Sequence, residues 1–159
     1  MPSAKSALNQ SAVKSRYIYN KEFYLKKIAS IDIGLKRIGV ALCLAADIVT
    51  PQEAILRKNR DQAARDVDAF LNEWGIALLV VGLPKGGSSS EEMERRIKHF
   101  VSLLTFSGDV VYQDEYGSSN EAKEMMQGVI RQKRDGRIDS MAAKVILERY
   151  LDTLKANHG

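Results

Sequence analysis

Directly after residue 27, the chain contains two runs of apolar, β-branched residues. Residues 28–33 and 38–44 each predict a strand, and the glycine-containing segment 34–37 between them predicts a hairpin connection. Pro51 suits an edge strand or a bend before a third short strand at residues 54–56. These residues therefore predict a sheet whose first strands are antiparallel.

Amphipathic helices alternate with buried strands in the remaining sequence. Apolar residues recur at helical spacing across residues 63–74, which predicts a helix that Gly75 ends. Residues 76–81 and 110–113 are short, mainly apolar runs of the kind found in buried strands. The same helical spacing predicts three further helices, at residues 93–104, 122–130 and 143–154.

The start of the second predicted helix carries two overlapping capping-box patterns. Ser88 is followed three residues later by Glu91, and Ser89 by Glu92. In a capping box, the serine side chain accepts a hydrogen bond from a free backbone N–H of the first turn. We therefore expect a side-chain cap at this helix start.

The order of predicted elements defines a fold class. Strand, strand, strand, helix, strand, helix, strand, helix, helix suits an α/β fold with a mixed five-stranded sheet, in which three antiparallel strands precede the parallel ones and helices cover both faces. The 159 residues, 45% of them hydrophobic, are enough for one such domain, which we place at residues 26–157. Residues 1–25 are expected to form a flexible extension, although aromatic residues between 17 and 24 leave docking on the domain or a partner open.

Charge alone does not indicate a nucleic-acid-binding domain. The formal net charge is +4, but residues 1–27 carry six basic side chains against one acidic one, and the rest of the chain has 18 basic and 19 acidic side chains. The predicted domain is therefore nearly neutral. Any binding of nucleic acid must depend on local clusters of positive charge.

Several function classes are disfavoured by what the sequence contains. No run approaches the roughly 20 apolar residues that cross a bilayer, and the first residues lack a secretory apolar stretch, so we expect a cytoplasmic protein that does not enter a membrane. Cys43 lies in a predicted strand and is expected to be a core thiol. The two histidines, His99 and His158, lie far from other candidate ligands, which disfavours zinc and a histidine base.

Three carboxylates stand out as candidates for chemistry. Asp32 interrupts an apolar strand, where a charge needs a cation or several donors, although hydrogen bonding to the turn is an alternative. Glu115 follows a buried strand, with its neighbour Asp114 as the rival. Asp139 begins a predicted helix on the face shared with Ala142 and is either a site residue or a helix-start carboxylate.

These carboxylates predict a site for a hard cation. With no histidine or cysteine nearby, oxygen ligands from Asp32, Glu115 and Asp139 suit Mg²⁺ or Mn²⁺. Hydrolysis of phosphodiester bonds uses such ions to activate water and to neutralise the leaving oxygen. The three residues are therefore both the predicted metal ligands and the predicted catalytic residues.

Basic residues near the candidate site predict contacts to phosphates. Lys36 and Arg37 follow Asp32, and Lys85 lies in a glycine-rich loop that leads to a helix start. The segment before Asp139 adds a basic arm, although a solvated loop is its plain alternative. The residues of that arm are Arg131, Lys133, Arg134 and Arg137.

With these residues in view, the chain resembles the YqgF (RuvX) family. Its members are bacterial ribonuclease H-like proteins regarded as nucleases that mature pre-16S ribosomal RNA, and they are sometimes described as Holliday-junction-resolvase-like. The resemblance covers about residues 26–155. It is carried by IDIGLKRIGVA at 31–41, VVGLP at 80–84, Asp114-Glu115, DSMAA at 139–143 and ILERYL at 146–151.

The resemblance implies a fold, a site and a substrate. It implies a ribonuclease H-like fold in which Asp32, Glu115 and Asp139 are the catalytic carboxylates, acting on structured nucleic acid, with precursor ribosomal RNA favoured over branched DNA. It leaves open a monomer or a homodimer. One departure is Tyr116, which stands where the family usually has arginine, and this puts rate and substrate choice in doubt.

Two other classes of protein are alternatives to a nuclease. The Asp-x-Gly start also resembles the phosphate-binding turn of sugar kinases, but those enzymes close two such lobes around ATP and this chain is long enough for one. A non-catalytic RNA-binding assembly factor would keep the carboxylates for structure. A measurement of nuclease activity with and without Mg²⁺ distinguishes such an assembly factor from an enzyme.

Overall fold

The computed structural model describes residues 26–45, 48–84, 89–115 and 137–158, with the side chains of 139–156 in the last range. Five strands and three helices lie in these ranges. In chain order they are β1 (Ile28–Ile33), β2 (Arg37–Cys43), β3 (Val49–Leu56), α1 (Arg60–Trp74), β4 (Leu78–Leu83), α2 (Ser90–Ser102), β5 (Asp109–Asp114) and α3 (Arg137–His158). The predicted extension at 1–25 and the predicted helix at 122–130 lie outside the described residues.

The strands form one mixed sheet in the order β3-β2-β1-β4-β5. β1 pairs antiparallel with β2, and β2 pairs antiparallel with β3, whereas β1, β4 and β5 run parallel. This confirms the predicted arrangement of three antiparallel strands followed by parallel ones. Pro51 lies in β3 at the edge of the sheet, as predicted, where a residue without an N–H is tolerated.

Helices cover both faces of the sheet. One face packs against α1 and α2, and its core includes Ile31 and Ile33 of β1. The other face packs against α3, with Ile146 and Tyr150 fully buried in its core. Because side chains alternate along a strand, Ser30 and Asp32 lie on the α3 side of β1. The alternation of β1 thus places a carboxylate under α3.

Helix α1 has both of its ends fixed by local chemistry. Asn59 Oδ1 accepts a hydrogen bond from Gln62 N at 2.8 Å, and Gln62 Oε1 accepts one from Asn59 N at 3.3 Å, which is a reciprocal capping box. Gly75 ends the helix in the left-handed region, with φ 64° and ψ 42°. The predicted stop at Gly75 is confirmed.

The predicted side-chain cap of α2 by Ser89 is wrong, and Ser88, which begins the other capping-box pattern, lies outside the described residues. Ser89 is the N-cap residue of α2, but no capping hydrogen bond from its side chain is formed. A serine caps a helix from an extended backbone, which aims its hydroxyl at the free N–H groups. Ser89 instead has a helical backbone with φ −92° and ψ −6°, which turns the hydroxyl away from them.

Strand β4 lies two residues later than predicted. Ile76 N donates to Leu71 O at 3.0 Å and closes the end of α1, and Ala77 N donates to Lys27 O at 2.9 Å. These bonds assign both residues to the connection. Gly82, which follows the predicted strand at residues 76–81, is therefore a strand residue beside β5. Among the helices in the described ranges, none combines the length and apolar character that crossing a bilayer requires.

Cys43 is a buried free thiol at the end of β2. It belongs to the core on the α3 side of the sheet. The predicted role of this cysteine as a core residue is confirmed.

Candidate active site

Asp32 lies near the carboxyl end of β1, in the middle of the sheet. Its neighbour across the antiparallel pair is Gly39 of β2. On the other side, the parallel register pairs Ile31 with Val81, so Asp32 lies beside Gly82 of β4. Asp32 is therefore flanked by two residues without side chains, which leaves the space above it free for groups from β5 and α3.

Glu115 follows β5 directly and reaches across β4 toward Asp32. Its backbone N donates to Leu83 O at 3.0 Å, which fixes it at the end of the β4–β5 ladder. A Cβ atom on Gly82 would lie 2.7 Å from Glu115 Oε2 and 2.6 Å from Ile146 Cδ1. Glycine at position 82 thus lets the Glu115 side chain cross β4, and only glycine fits without movement of its neighbours.

Asp32 and Glu115 share a hydrogen bond in which the protonated Asp32 donates. Burial, the charge of Glu115, that hydrogen bond and the charge of Asp139 together raise the pKa of Asp32 to about 8. Burial also raises the pKa of Glu115, the hydrogen bond from Asp32 opposes that rise, and the charge of Asp114 adds to it. Two carboxyl groups this close cannot both carry full charge without a cation, so they hold one proton between them.

Asp139 comes from the first turn of α3, which docks closely on β1 and β2. Ser30 Oγ donates to Ala143 O at 2.6 Å, and Val40 N donates to Ser140 Oγ at 3.3 Å. A Cβ atom on Gly39 would overlap the backbone carbonyl of Asp139. Small residues on both elements therefore bring the start of α3 against the sheet, as the alanines at 142 and 143 predict.

Arg37 engages the third carboxylate. Its Nε donates to Asp139 Oδ2 at 3.1 Å, and about a third of each side chain is exposed, at 31% and 32%. Asp139 is nevertheless close enough to Asp32 for its charge to raise the pKa of Asp32. The structure thus brings Asp32 and Glu115 into contact and places Asp139 beside them, turned toward an arginine.

The donor set suits a hard cation at the Asp32–Glu115 pair. In the ranges that the structure describes, no three His, Cys, Asp or Glu side chains are grouped closely enough to hold a metal ion as they stand. The pair nevertheless supplies oxygen ligands whose charges would repel each other if both groups were ionised, and no ion pair of the described residues includes either one. That charge pattern fits Mg²⁺ or Mn²⁺, and a site with all three carboxylates as ligands stays a prediction.

The predicted phosphate-binding residues are only partly described. Lys36 is exposed in the β1–β2 turn, and Arg37 is held by Asp139. The side chain of Arg137, whose backbone begins α3, lies outside the described residues. The remaining predicted contacts lie outside them as well, namely Lys85, Arg131, Lys133 and Arg134, together with Tyr116.

Sequence reasoning missed the small residues that make the site possible. Gly39 and Gly82 do not turn the chain but allow Asp139 and Glu115 to approach. Ser30 and Ser140 are buried polar residues that bind backbone groups between β1, β2 and α3. A glycine in the interior of an apolar strand signals a close approach, and that signal was present in both strands.

Solved structures with the same arrangement define the class of protein. Thermus thermophilus RuvC in complex with a Holliday junction substrate aligns with a TM-score of 0.53 at 9% identity, covering 80% of this chain and 96% of that one. The yeast mitochondrial Holliday junction resolvase Ydc2 aligns with a TM-score of 0.52 at 12% identity, covering 97% and 92%. At such low identity the likeness concerns the fold alone. The chain has the ribonuclease H-like fold.

Sequence relatives narrow the class to one family. Residues 26–153 match the profile of the RuvX family, which is described as Holliday junction resolvase. A Sulfurovum protein is 72% identical over 125 residues, covering 79% of this chain and 98% of the relative, and one from Sulfurimonas denitrificans is 57% identical, covering 79% and 96%. Both carry the name "Putative pre-16S rRNA nuclease". The chain belongs to the RuvX family.

Proposed function

We propose that this protein is a metal-dependent nuclease that hydrolyses phosphodiester bonds and processes the 5′ end of precursor 16S rRNA. The observation that carries the proposal is the pair of carboxyl groups, Asp32 and Glu115, held together on the sheet with Asp139 beside them. Two partly buried acids that share one proton are costly to the fold unless a cation takes the place of that proton. Placement at the carboxyl ends of parallel strands suits a site that meets a substrate.

The residues take separate roles in this proposal. Asp32 and Glu115 would hold Mg²⁺ or Mn²⁺, with Asp139 as the third ligand. When bound, such an ion activates a water molecule and offsets the charge that develops on the phosphate. Arg37 orients the Asp139 carboxylate through the 3.1 Å bond to Oδ2. Gly82 keeps the path of Glu115 open.

Contacts to substrate phosphates are assigned to basic residues near this pair. Lys36 is exposed two residues from Gly34, at the turn that follows Asp32, where a phosphate oxygen can be reached. The basic arm before α3, which comprises Arg131, Lys133, Arg134 and Arg137, and Lys85 after β4 are proposed to bind the backbone of the same substrate.

The substrate follows from the relatives. The relatives from Sulfurovum and Sulfurimonas denitrificans carry a name that refers to pre-16S rRNA, which favours precursor ribosomal RNA and a cytoplasmic location. The family description and a RuvC structure with a Holliday junction favour branched DNA as the second candidate. We place the nuclease domain at residues 26–157 and propose that residues 1–25 are a flexible extension.

Cleavage assays on matched variants test the proposal. Wild type and the Asp32→Asn and Glu115→Gln variants are incubated with labelled precursor 16S rRNA and with a four-way DNA junction, in Mg²⁺, Mn²⁺ or EDTA. Because each substitution removes a charged ligand while nearly keeping the volume, we expect at least about a 100-fold loss of cleavage with the fold retained.

The neighbouring carboxylate provides the matched control. Asp114→Asn removes a carboxylate one position from Glu115 without touching Asp32, so we expect most of the activity to remain. Equal cleavage by wild type and the Asp32→Asn variant would refute the assignment. Absence of cleavage of both substrates by wild type in either metal would favour the non-catalytic assembly factor.

A further inference from the structure

Four arginines line a cavity at the same end of the sheet as the carboxylates. The cavity has a volume of about 380 Å³ and lies between α2, the end of β3 and the β1–β2 turn. Its lining contains no aspartate or glutamate. The cations that line it are Arg57, Arg60, Arg95 and Arg96, with His99 beside them, and we call this cavity the arginine groove.

Arg57 is held in place at the inner wall of the arginine groove. Its Nη1 donates to Gly34 O at 2.9 Å, and its guanidinium lies over the buried ring of Phe100, 5.6 Å from the ring centroid. Burial, followed by the charge of Arg60, lowers the pKa of Arg57. The protein thus holds two like charges close together, an arrangement that a bound anion would stabilise.

The positive charge of the arginine groove is largely uncompensated. Arg96 pairs with Glu92 at 2.7 Å, but about 60% of each side chain is exposed, so the pair is a weak one. Within the part of the chain that the structure describes, neither Arg60 nor Arg95 has a carboxylate partner. Several guanidinium groups therefore remain available to a ligand.

The groove adjoins the carboxylate site around the end of β1. Ile33, Gly34 and Leu35 form one of its walls, and Gly34 follows Asp32 by two residues, which is about 7 Å along a strand. Ile33 points to the α1 and α2 side, whereas Asp32 points to the α3 side. A strand of nucleic acid that passes over this end of the sheet would therefore meet both sites.

The chemistry of the lining favours phosphates over bases. Arginine binds phosphate oxygens through two parallel N–H groups, and several arginines side by side match the repeated phosphates of a polymer. The aromatic ring under Arg57, that of Phe100, is buried to 1% exposure and offers no face for a base to stack on, so among the described lining residues only the imidazole of His99 is an exposed ring.

We propose that the arginine groove binds the phosphate backbone of nucleic acid next to the carboxylate site. Its place in catalysis rests on the proposed nuclease function, whereas its binding of nucleic acid can be measured without cleavage. Contacts of this kind are independent of base sequence and fix the position of the strand over Asp32 and Glu115.

Binding of labelled RNA and DNA across a salt series tests this proposal. The full chain with Arg60→Gln and Arg95→Gln is compared with wild type by fluorescence anisotropy in EDTA, on a structured RNA and on a four-way DNA junction. Each lost phosphate contact should lower the slope of log K against log salt concentration by about 1. We expect a slope reduced by about 2 and affinity lowered about 10-fold or more on the preferred polymer.

Two further double variants serve as controls. Arg60→Lys with Arg95→Lys keeps the charges and should retain most of the slope. Lys27→Gln with Arg65→Gln removes two exposed charges outside the groove and should leave the slope unchanged. Thermal unfolding followed by circular dichroism checks that each variant is folded.

The outcomes distinguish failure of the groove proposal from failure of the proposed nuclease function. An unchanged slope in the glutamine variant overturns the groove proposal, even if wild type cleaves. A reduced slope in a protein that cleaves neither polymer supports the groove and leaves the nuclease assignment refuted. Failure of wild type to bind either polymer also overturns the groove proposal.

Discussion

At the scale of single residues, Asp32 shows how a strand position determines chemistry. In an isolated chain its pKa would be 3.8, and in the folded protein burial and the two neighbouring acids raise the pKa to about 8. At neutral pH and without a cation, Asp32 therefore keeps its proton and donates it to Glu115. A divalent ion at this place competes with that proton.

The free energy of unfolding should depend on pH because of the proton on Asp32. Because the folded protein binds it more tightly than the unfolded chain does, the stabilisation is complete below pH 3.8 and is lost as the pH rises through about 8. The slope for one proton is at most about 1.4 kcal/mol per pH unit. In EDTA, the stability of the Asp32→Asn variant relative to wild type should rise between pH 4 and pH 8, measured by urea unfolding.

A second variant checks the cause. Glu115→Gln removes the charge and the carboxylate acceptor that raise the pKa of Asp32, but it leaves the burial of Asp32 in place. The pH dependence attributed to Asp32 should shrink and not vanish. A constant difference in stability between wild type and Asp32→Asn over this pH range would contradict the shared proton.

At the scale of secondary-structure elements, glycines determine how closely the site can assemble. Gly39 lets the first turn of α3 rest on β2, and Gly82 lets Glu115 cross β4. Strands β1, β4 and β5 carry their groups to a common end because they run parallel. The site is therefore formed by β1, the end of β5 and α3. It has room because Gly39 and Gly82 carry no side chains.

Gly82→Ala should damage the site more than the fold. The added methyl group would lie 2.7 Å from Glu115 Oε2 and 2.6 Å from Ile146 Cδ1, so both side chains must move. Overpacking of this kind costs about 1–3 kcal/mol, which urea unfolding measures. Cleavage should fall further than the remaining folded fraction explains.

The double variant Gly82→Ala with Ile146→Val separates the two contacts. Valine lacks the Cδ1 atom, so the overlap inside the core is relieved while the overlap with Glu115 stays. We expect stability to recover in part and cleavage to remain low. If stability and cleavage both recovered, the effect of Gly82→Ala would be due to packing against α3 and not to the path of Glu115.

At the scale of the whole molecule, two charged surfaces meet at one end of the sheet. The carboxylates lie on the α3 side, and the arginine groove lies on the side of α1 and α2. In the functions proposed above, the carboxylates would bind a cation and the arginines would bind the phosphates of the substrate. The sheet separates the arginine groove from the carboxylates, and the described ion pair between an arginine and a site carboxylate is the one that Arg37, outside the groove, makes with Asp139.

Metal binding should stabilise the whole fold, because the proposed ligands come from β1, the end of β5 and α3. A cation present at 100 times its dissociation constant adds about 2.7 kcal/mol to the free energy of unfolding. Mn²⁺ should therefore raise the melting temperature of wild type, and more at pH 8 than at pH 6, since the proton on Asp32 competes at the lower pH.

The Asp32→Asn variant provides the comparison for this effect. It lacks the charge that the ion neutralises, so Mn²⁺ should leave its melting temperature nearly unchanged, whereas Asp114→Asn should respond like wild type. An equal shift in Asp32→Asn and wild type would show that the ion binds elsewhere on the molecule.

The sequence by itself determined the elements and the class of fold. Apolar periodicity reports which residues face the core, and that local property located the five strands and three helices of the described residues and predicted their arrangement as a mixed sheet. It also marked Asp32 as an anomaly, because a charge in an apolar strand needs a reason. Periodicity does not determine where β4 begins, because hydrogen bonds to Leu71 and Lys27 assign Ile76 and Ala77 to the connection.

Only the tertiary structure decided which groups meet. Glu115 rather than Asp114 contacts Asp32, Arg37 binds Asp139, and the arginine groove joins residues 57 and 60 to residues 95 and 96. These contacts depend on strand register, on parallel pairing and on the close approach that glycines permit. Sequence patterns report the neighbours of a residue along the chain, whereas charges act on whatever the fold brings within a few ångströms.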